Sequence, residues 1–162
     1  MTVSVLFVCL GNICRSPTAH GVFQAMVERS GLYRYIEIDS AGTGDWHIGH
    51  PPDRRATAAA RTRGYDLSPL RARLVTPDDF RRFDYVLAMD ANNLADLKQL
   101  QPDDGRAHLA LMLSFAKGQS VSEVPDPYYG GDDGFDRVLD LLENACDGLL
   151  AHIREQHPER LG

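Results

Sequence analysis

"VCLGNICRSPTAHGV", residues 8–22, sets two of the chain's three cysteines, a glycine, two asparagine-arginine-type polar positions and a serine into one short bend. The run leading into it, "VSVLFV" (residues 3–8), is apolar at every position but one and rich in β-branched and aromatic side chains. That is the pattern of a strand buried on both faces. After the bend, residues 17–30 place Val22, Phe23, Met26 and Val27 on one stripe at helical spacing. Strand, bend and helix in this order make the opening of a βαβ unit, with the bend at the carboxyl end of the first strand.

The same alternation continues along the chain. "YIEIDSAG" (35–42), "DYVLAM" (84–89) and "AHLALM" (107–112) read as further strands. "DRRATAAARTRG" (53–64) reads as a helix closed by Gly64, and "TPDDFRRF" (76–83) as a short one with Thr76 at the N-cap. "DANNLADLKQL" (90–100) is a helix, and residues 135–157 an amphipathic one with Phe135, Val138, Leu141, Leu142, Leu149 and Ile153 on its apolar face. Alternation of this kind implies a parallel sheet with helices on both faces, a three-layer α/β/α fold of the flavodoxin-like or Rossmann-like type. Ligands of such open sheets bind beyond the carboxyl ends of the strands, where the bend lies. No repeat, low-complexity segment or linker interrupts the pattern, so residues 1–162 are expected to form one domain.

Composition narrows the function. A net charge of -6 argues against nucleic acid as the main partner, but a local anion site is compatible with it. Three cysteines do not suit a disulfide framework, and reduced cytosolic thiols fit better. No basic residue precedes the N-terminal apolar run, and no small-residue cleavage pattern follows it. No segment approaches the ~20 apolar residues of a membrane span. The expectation is a soluble cytoplasmic monomer without membrane insertion; export without a cleaved signal leaves no mark of this kind.

Within the bend, Ser16 suits an N-cap and Pro17 a first helical residue, which would aim free amides and a positive dipole end into the loop. That arrangement favours phosphate or a similar oxyanion. Gly11 allows close approach, Asn12 tolerates the left-handed region, and Arg15 can grip two oxygens at once. The groups that bind phosphate would also stabilise a thiolate at Cys9, with Ser16 donating to the sulfur. The chemistry suggested is thiolate attack on a phosphoryl group, giving a phosphocysteine. A proton donor for the leaving oxygen is then required. Asp126 in "VPDPYYGG" is the strongest candidate, held between two prolines and followed by Tyr128 and Tyr129, which suit an aryl substrate. Trp46 is either pocket wall or partial core, and Cys14 either filler or a redox partner. Arg54, Arg55, Arg71 and Arg73 read as a solvated basic face, and the six histidines have no metal-ligand spacing.

"VCLGNICRSP" resembles the C-x5-R-S signature of the low-molecular-weight protein tyrosine phosphatases, and "DSAGTGDW", "DLSPLRAR", "FDYVLAMD" and "DPYYG" resemble that family's other blocks in the same order. The resemblance implies a four-stranded parallel sheet, no metal or organic cofactor, and phosphotyrosine-containing proteins as substrates. It implies Cys9 as nucleophile, Arg15 as phosphate clamp and Asp126 as general acid, then base. Leu10, Gly11, Asn12, Ile13, Cys14 and Ser16 would bind the substrate, with Asn12 also shaping the loop, Ser16 also assisting the thiol, and Ser40 joining the network behind Asn12. Leu10, Trp46, Tyr128 and Tyr129 would line the crevice. Cys14 would be the second loop cysteine, able to trap oxidised Cys9 as a reversible disulfide. One position departs: Leu70 stands where many members carry a histidine behind the phosphate loop, so support for Asn12 must come from elsewhere or be weaker. The alternatives are a thiol-dependent arsenate reductase on the same fold, for which residues 80–100 lack the cysteine pair such relatives need, and a non-catalytic phosphate-binding module, which would require neither thiol nor acid.

Overall fold

The computed structural model describes residues 2–128, 130–131 and 133–162. Four strands, β1 (Val3–Cys9), β2 (Ile36–Gly42), β3 (Tyr85–Ala88) and β4 (His108–Leu111), form one parallel sheet in the order β2-β1-β3-β4. The helices are α1 (Arg15–Arg29), α2 (Arg54–Thr62), α3 (Asp79–Arg82), α4 (Ala91–Leu100) and α5 (Asp133–Gln156). Short 3₁₀ turns cover Met112–Phe115 and Pro158–Arg160.

The central strand explains the layers. All seven residues of β1 are buried. Val3, Val5 and Phe7 face a cluster with Val22, Phe23 and the apolar face of α5, whereas Leu6 and Val8 face Phe80, Phe83 and Leu97 on the other side. Phe7 meets Phe23 edge-to-face, with ring centroids 5.8 Å apart. Truncating a buried phenylalanine of this kind to alanine costs about 3–5 kcal/mol. The expected fold class is therefore the observed one.

The strand order also positions the site. From β1 the chain winds to β2 on one side, then crosses to β3 and β4 on the other. Loops leaving β1 and β3 consequently part in opposite directions, opening a crevice at their carboxyl ends. Cys9 ends β1 and Asp90 follows β3, so both stand at this opening.

Two helix starts differ from expectation. Helix α1 begins at Arg15 with Cys14 at the N-cap position, so Ser16 lies inside the first turn and caps nothing. Its hydroxyl is drawn instead toward the Cys9 sulfur. Helix α3 begins at Asp79, not after a Thr76 cap. The Asp79 carboxylate accepts the Thr76 amide at 2.8 Å and thereby holds the preceding turn. At the end of α2, Gly64 takes a left-handed φ of 85°, as the expected closing glycine. Among the described residues, no helix is long and apolar enough to cross a membrane.

Candidate active site

The bend wraps Cys9, whose side chain is buried at the end of β1. Asn12 is the one non-glycine residue described with a left-handed φ, 57°. Its side chain explains why that conformation holds. The Asn12 Oδ1 accepts the Arg73 amide at 3.0 Å, and its Nδ2 donates to Ser16 Oγ at 2.7 Å. Ser16 Oγ in turn lies 3.0 Å from Cys9 Sγ and 3.4 Å from the Ala41 carbonyl oxygen, so its hydroxyl sits between the sulfur and a backbone acceptor. The Asn12 amide lies 3.3 Å from the same sulfur. The Cys9 sulfur therefore faces the Asn12 amide as an acceptor and has the Ser16 hydroxyl beside it.

Around the sulfur, the amides of Gly11, Ile13 and Cys14 have no protein acceptor among the described residues. The first amides of α1 likewise have no carbonyl one turn back. Free donors converging at a helix start suit an oxyanion.

Arg15 completes the cradle. Its side chain is only 3% exposed. Nη1 donates to Asp90 Oδ2 at 2.6 Å and to the Val124 carbonyl at 3.0 Å, while Nη2 lies 3.6 Å from Asp126 Oδ2. Burial works against the charge of Arg15, but Cys9, Asp90 and Asp126 outweigh it and raise its pKa. Asp90 splits its duties: Oδ2 holds Arg15, and Oδ1 caps α4 through the Asn93 amide at 2.8 Å. This bond spans the opening between β1 and β3.

Asp126 is half-exposed, and its Oδ1 accepts the Tyr128 amide at 3.0 Å. Leu10, Gly11, Ile13, Cys14, Trp46, His47 and Tyr128 join Cys9, Arg15 and Asp126 in lining one cavity of about 360 Å³. Most of the expected site residues are thus brought together. Trp46 is a rim residue, 66% exposed, and not core. Asn12 and Ser16 stand behind the loop and do not line the cavity, because their polar atoms face Arg73 and the sulfur. The expected contribution of Tyr129 lies outside the described residues. Cys14 is buried, and burial followed by Asp53 and Cys9 pushes its thiol well up.

The basic face expected from four arginines is corrected at two of them. Arg73 is half-buried between Asp39, at 3.1 Å, and Asp79, at 3.0 Å. Its backbone is stapled to the end of β2, with the Gly42 amide donating to the Arg73 carbonyl at 2.8 Å. This segment supplies the support for Asn12 that Leu70 cannot. Arg55 is engaged with Asp53 and Tyr128. Ser40 does not reach Asn12; its hydroxyl pairs with His20 Nδ1 at 3.3 Å. Asp90, Arg73 and His47 were missed by sequence reasoning. Only Asp90 left a signal, as the cap residue directly after a buried strand. No cluster of three His, Cys, Asp or Glu side chains suited to a metal ion occurs among the described residues.

A sequence model of the Low molecular weight phosphotyrosine protein phosphatase family matches residues 4–159. The low molecular weight protein-tyrosine-phosphatase of Streptomyces coelicolor is 47% identical over 159 residues, covering 96% of each chain. A protein tyrosine phosphatase structure from Entamoeba histolytica with Hepes in its active site superposes with a TM-score of 0.91 at 40% identity, covering 95% of this chain and 98% of that one. The YfkJ structure from Bacillus subtilis gives a TM-score of 0.91 at 39% identity, covering 97% and 98%. With a family match over residues 4–159 and a relative 47% identical along nearly the whole chain, this chain belongs to the low molecular weight phosphotyrosine protein phosphatase family.

Proposed function

We propose that this chain, as one phosphatase domain, hydrolyses phosphotyrosine in proteins, and simple aryl phosphates, through a phosphocysteine on Cys9. The convergence of Cys9, Arg15 and Asp126 on one cavity with an apolar and aromatic rim carries this reading. Cys9 sulfur attacks phosphorus, and the bond to the phenolic oxygen breaks. Asp126 gives its proton to that oxygen as it leaves. The Asp126 carboxylate then takes a proton from water, which attacks phosphorus and releases the sulfur and inorganic phosphate. The loop amides and Arg15 follow the charge on the equatorial oxygens through a loose transition state. Trp46, His47, Leu10 and Tyr128 receive the ring. Cys14 serves as the reserve thiol that captures an oxidised Cys9. Cys146 is fully buried in α5 against α1, with its sulfur 3.9 Å from the Ala19 carbonyl, which is no place for the shuttling thiol of an arsenate reductase.

The test is turnover of a phosphotyrosyl peptide in the presence of a chelator. Cys9→Ser should abolish it, Arg15→Ala should damage binding and rate together, and Asp126→Ala mainly the rate. Full activity in Cys9→Ser overturns the reading.

A further inference from the structure

Arg55 stands outside the catalytic cavity, yet it touches three elements that frame it. Its Nε and Nη2 each lie 3.3 Å from a different oxygen of Asp53. Asp53 is the N-cap of α2, accepting the Arg55 amide at 2.8 Å, and its own amide donates to the Ile13 carbonyl of the phosphate loop at 2.8 Å. Nη2 of Arg55 also donates to the Tyr128 carbonyl at 2.9 Å. Its guanidinium lies over the Tyr128 ring, 5.4 Å from the centroid, and over the Phe135 ring in the first turn of α5, 4.9 Å from the centroid. Tyr128 in turn donates its amide to Asp126 Oδ1. A continuous path therefore runs from the Ile13 carbonyl through Asp53, Arg55 and Tyr128 to the carboxyl group of Asp126.

We infer that Arg55 is a positioning residue for the general acid: it pins the segment carrying Asp126 against the wall of the phosphate loop. The inference rests on the function proposed above, because it gives Asp126 the acid's role. Chemistry favours arginine at this point. A planar fork can pair with a carboxylate, donate to a carbonyl and stack on two rings simultaneously, whereas an ammonium can do only part of this. Arg55 is 43% exposed, so its pair with Asp53 does little for global stability. Its use is geometric. A general acid acts only within hydrogen-bond reach of the leaving oxygen, and displacement of about 1 Å at a reacting group can cost up to about a hundredfold in rate.

The experiment measures kcat/KM for aryl phosphates whose phenols span a range of acidity, in the wild type, Arg55→Gln, Arg55→Lys, Asp126→Asn and the Arg55→Gln/Asp126→Asn double variant. Poor leaving groups need the proton and good ones do not. Arg55→Gln should lose about tenfold with phenyl phosphate and less than about twofold with the most acidic phenol. Arg55→Lys, keeping the charge without the fork, should resemble it, and the melting temperature of both should stay within about 3 °C of wild type. In the Asp126→Asn background, Arg55→Gln should add less than about twofold, since its effect runs through the missing acid. A uniform loss across all phenols, full activity in Arg55→Lys, or additive losses in the double variant overturns the assignment to Arg55. If Asp126→Asn itself leaves the leaving-group dependence unchanged, the role given to Asp126 fails first, and that of Arg55 falls with it.

Discussion

Asp90→Asn removes one charge from the pair that holds the buried guanidinium of Arg15. Two carboxylate oxygens now serve two tasks, one capping α4 and one accepting from Arg15 at 2.6 Å. An amide has a single acceptor oxygen, so asparagine keeps the cap or the arginine bond, not both. Removing one partner of a fully buried ion pair costs about 3–5 kcal/mol. Asp90 is 20% exposed, and Arg15 retains the Val124 carbonyl at 3.0 Å and Asp126 at 3.6 Å. Those features reduce the expected loss to about 2–3 kcal/mol, which for a chain of this size lowers the melting temperature by about 5–10 °C. The proposed mechanism needs Arg15 aligned when the transition state forms, so kcat/KM on an aryl phosphate should fall by about tenfold. Thermal unfolding by circular dichroism, with and without saturating inorganic phosphate, separates charge from packing: phosphate gives the guanidinium a new anion and should narrow the gap to wild type. An Asp90→Asn protein that melts within about 1 °C of wild type and turns over within about twofold would refute the claim that Asp90 sets the orientation of Arg15.

Further outcomes follow from individual contacts. A Cβ at Gly42 would lie 2.7 Å from the Leu10 carbonyl oxygen and 3.2 Å from the Asn12 backbone, so Gly42→Ala should displace the phosphate loop and cut kcat/KM by about tenfold or more, with the circular dichroism spectrum unchanged. Burial depresses the pKa of His20 and, together with His108 and His157, that of His152. The unfolded chain then binds more protons than the native one just below the ordinary histidine value of about 6.5. Stability should therefore fall as pH drops from 7 toward 5, and Gln at both positions should flatten that slope in urea titrations. Burial pushes up the thiols of Cys14 and Cys146, so iodoacetate at neutral pH should modify Cys9 alone, with inorganic phosphate protecting it; peptide mapping that finds Cys14 labelled first contradicts the environment assigned to Cys9.

What the sequence made legible was the part written in short-range chemistry. An apolar strand ending at a bend with C-x5-R-S announced the sheet and pointed to the cavity at its carboxyl end, and the segment of Asp126 between two prolines was marked as a partner that does line that cavity. Side-chain partners distant in sequence were not legible. Arg73 reads as one more surface charge until Asp39 and Asp79 close on it and its amide meets Asn12. Arg55 is hidden for the same reason, since Tyr128 lies far along the chain. Ser16 has the look of a cap, and nothing local reveals that its hydroxyl accepts from Asn12 and sits against the Cys9 sulfur. The loss of a histidine at Leu70 suggested a weakened loop, whereas a backbone amide takes over the bond to Asn12.

The covalent step is the centre of this account, and it can be seen directly. Wild-type protein mixed with an aryl phosphate and quenched in denaturant within milliseconds should carry one additional phosphoryl group, located by peptide mass spectrometry on Cys9 and absent from Cys9→Ser. A phosphoryl group found on any other residue, or turnover with no phosphoenzyme formed under single-turnover conditions, would contradict it.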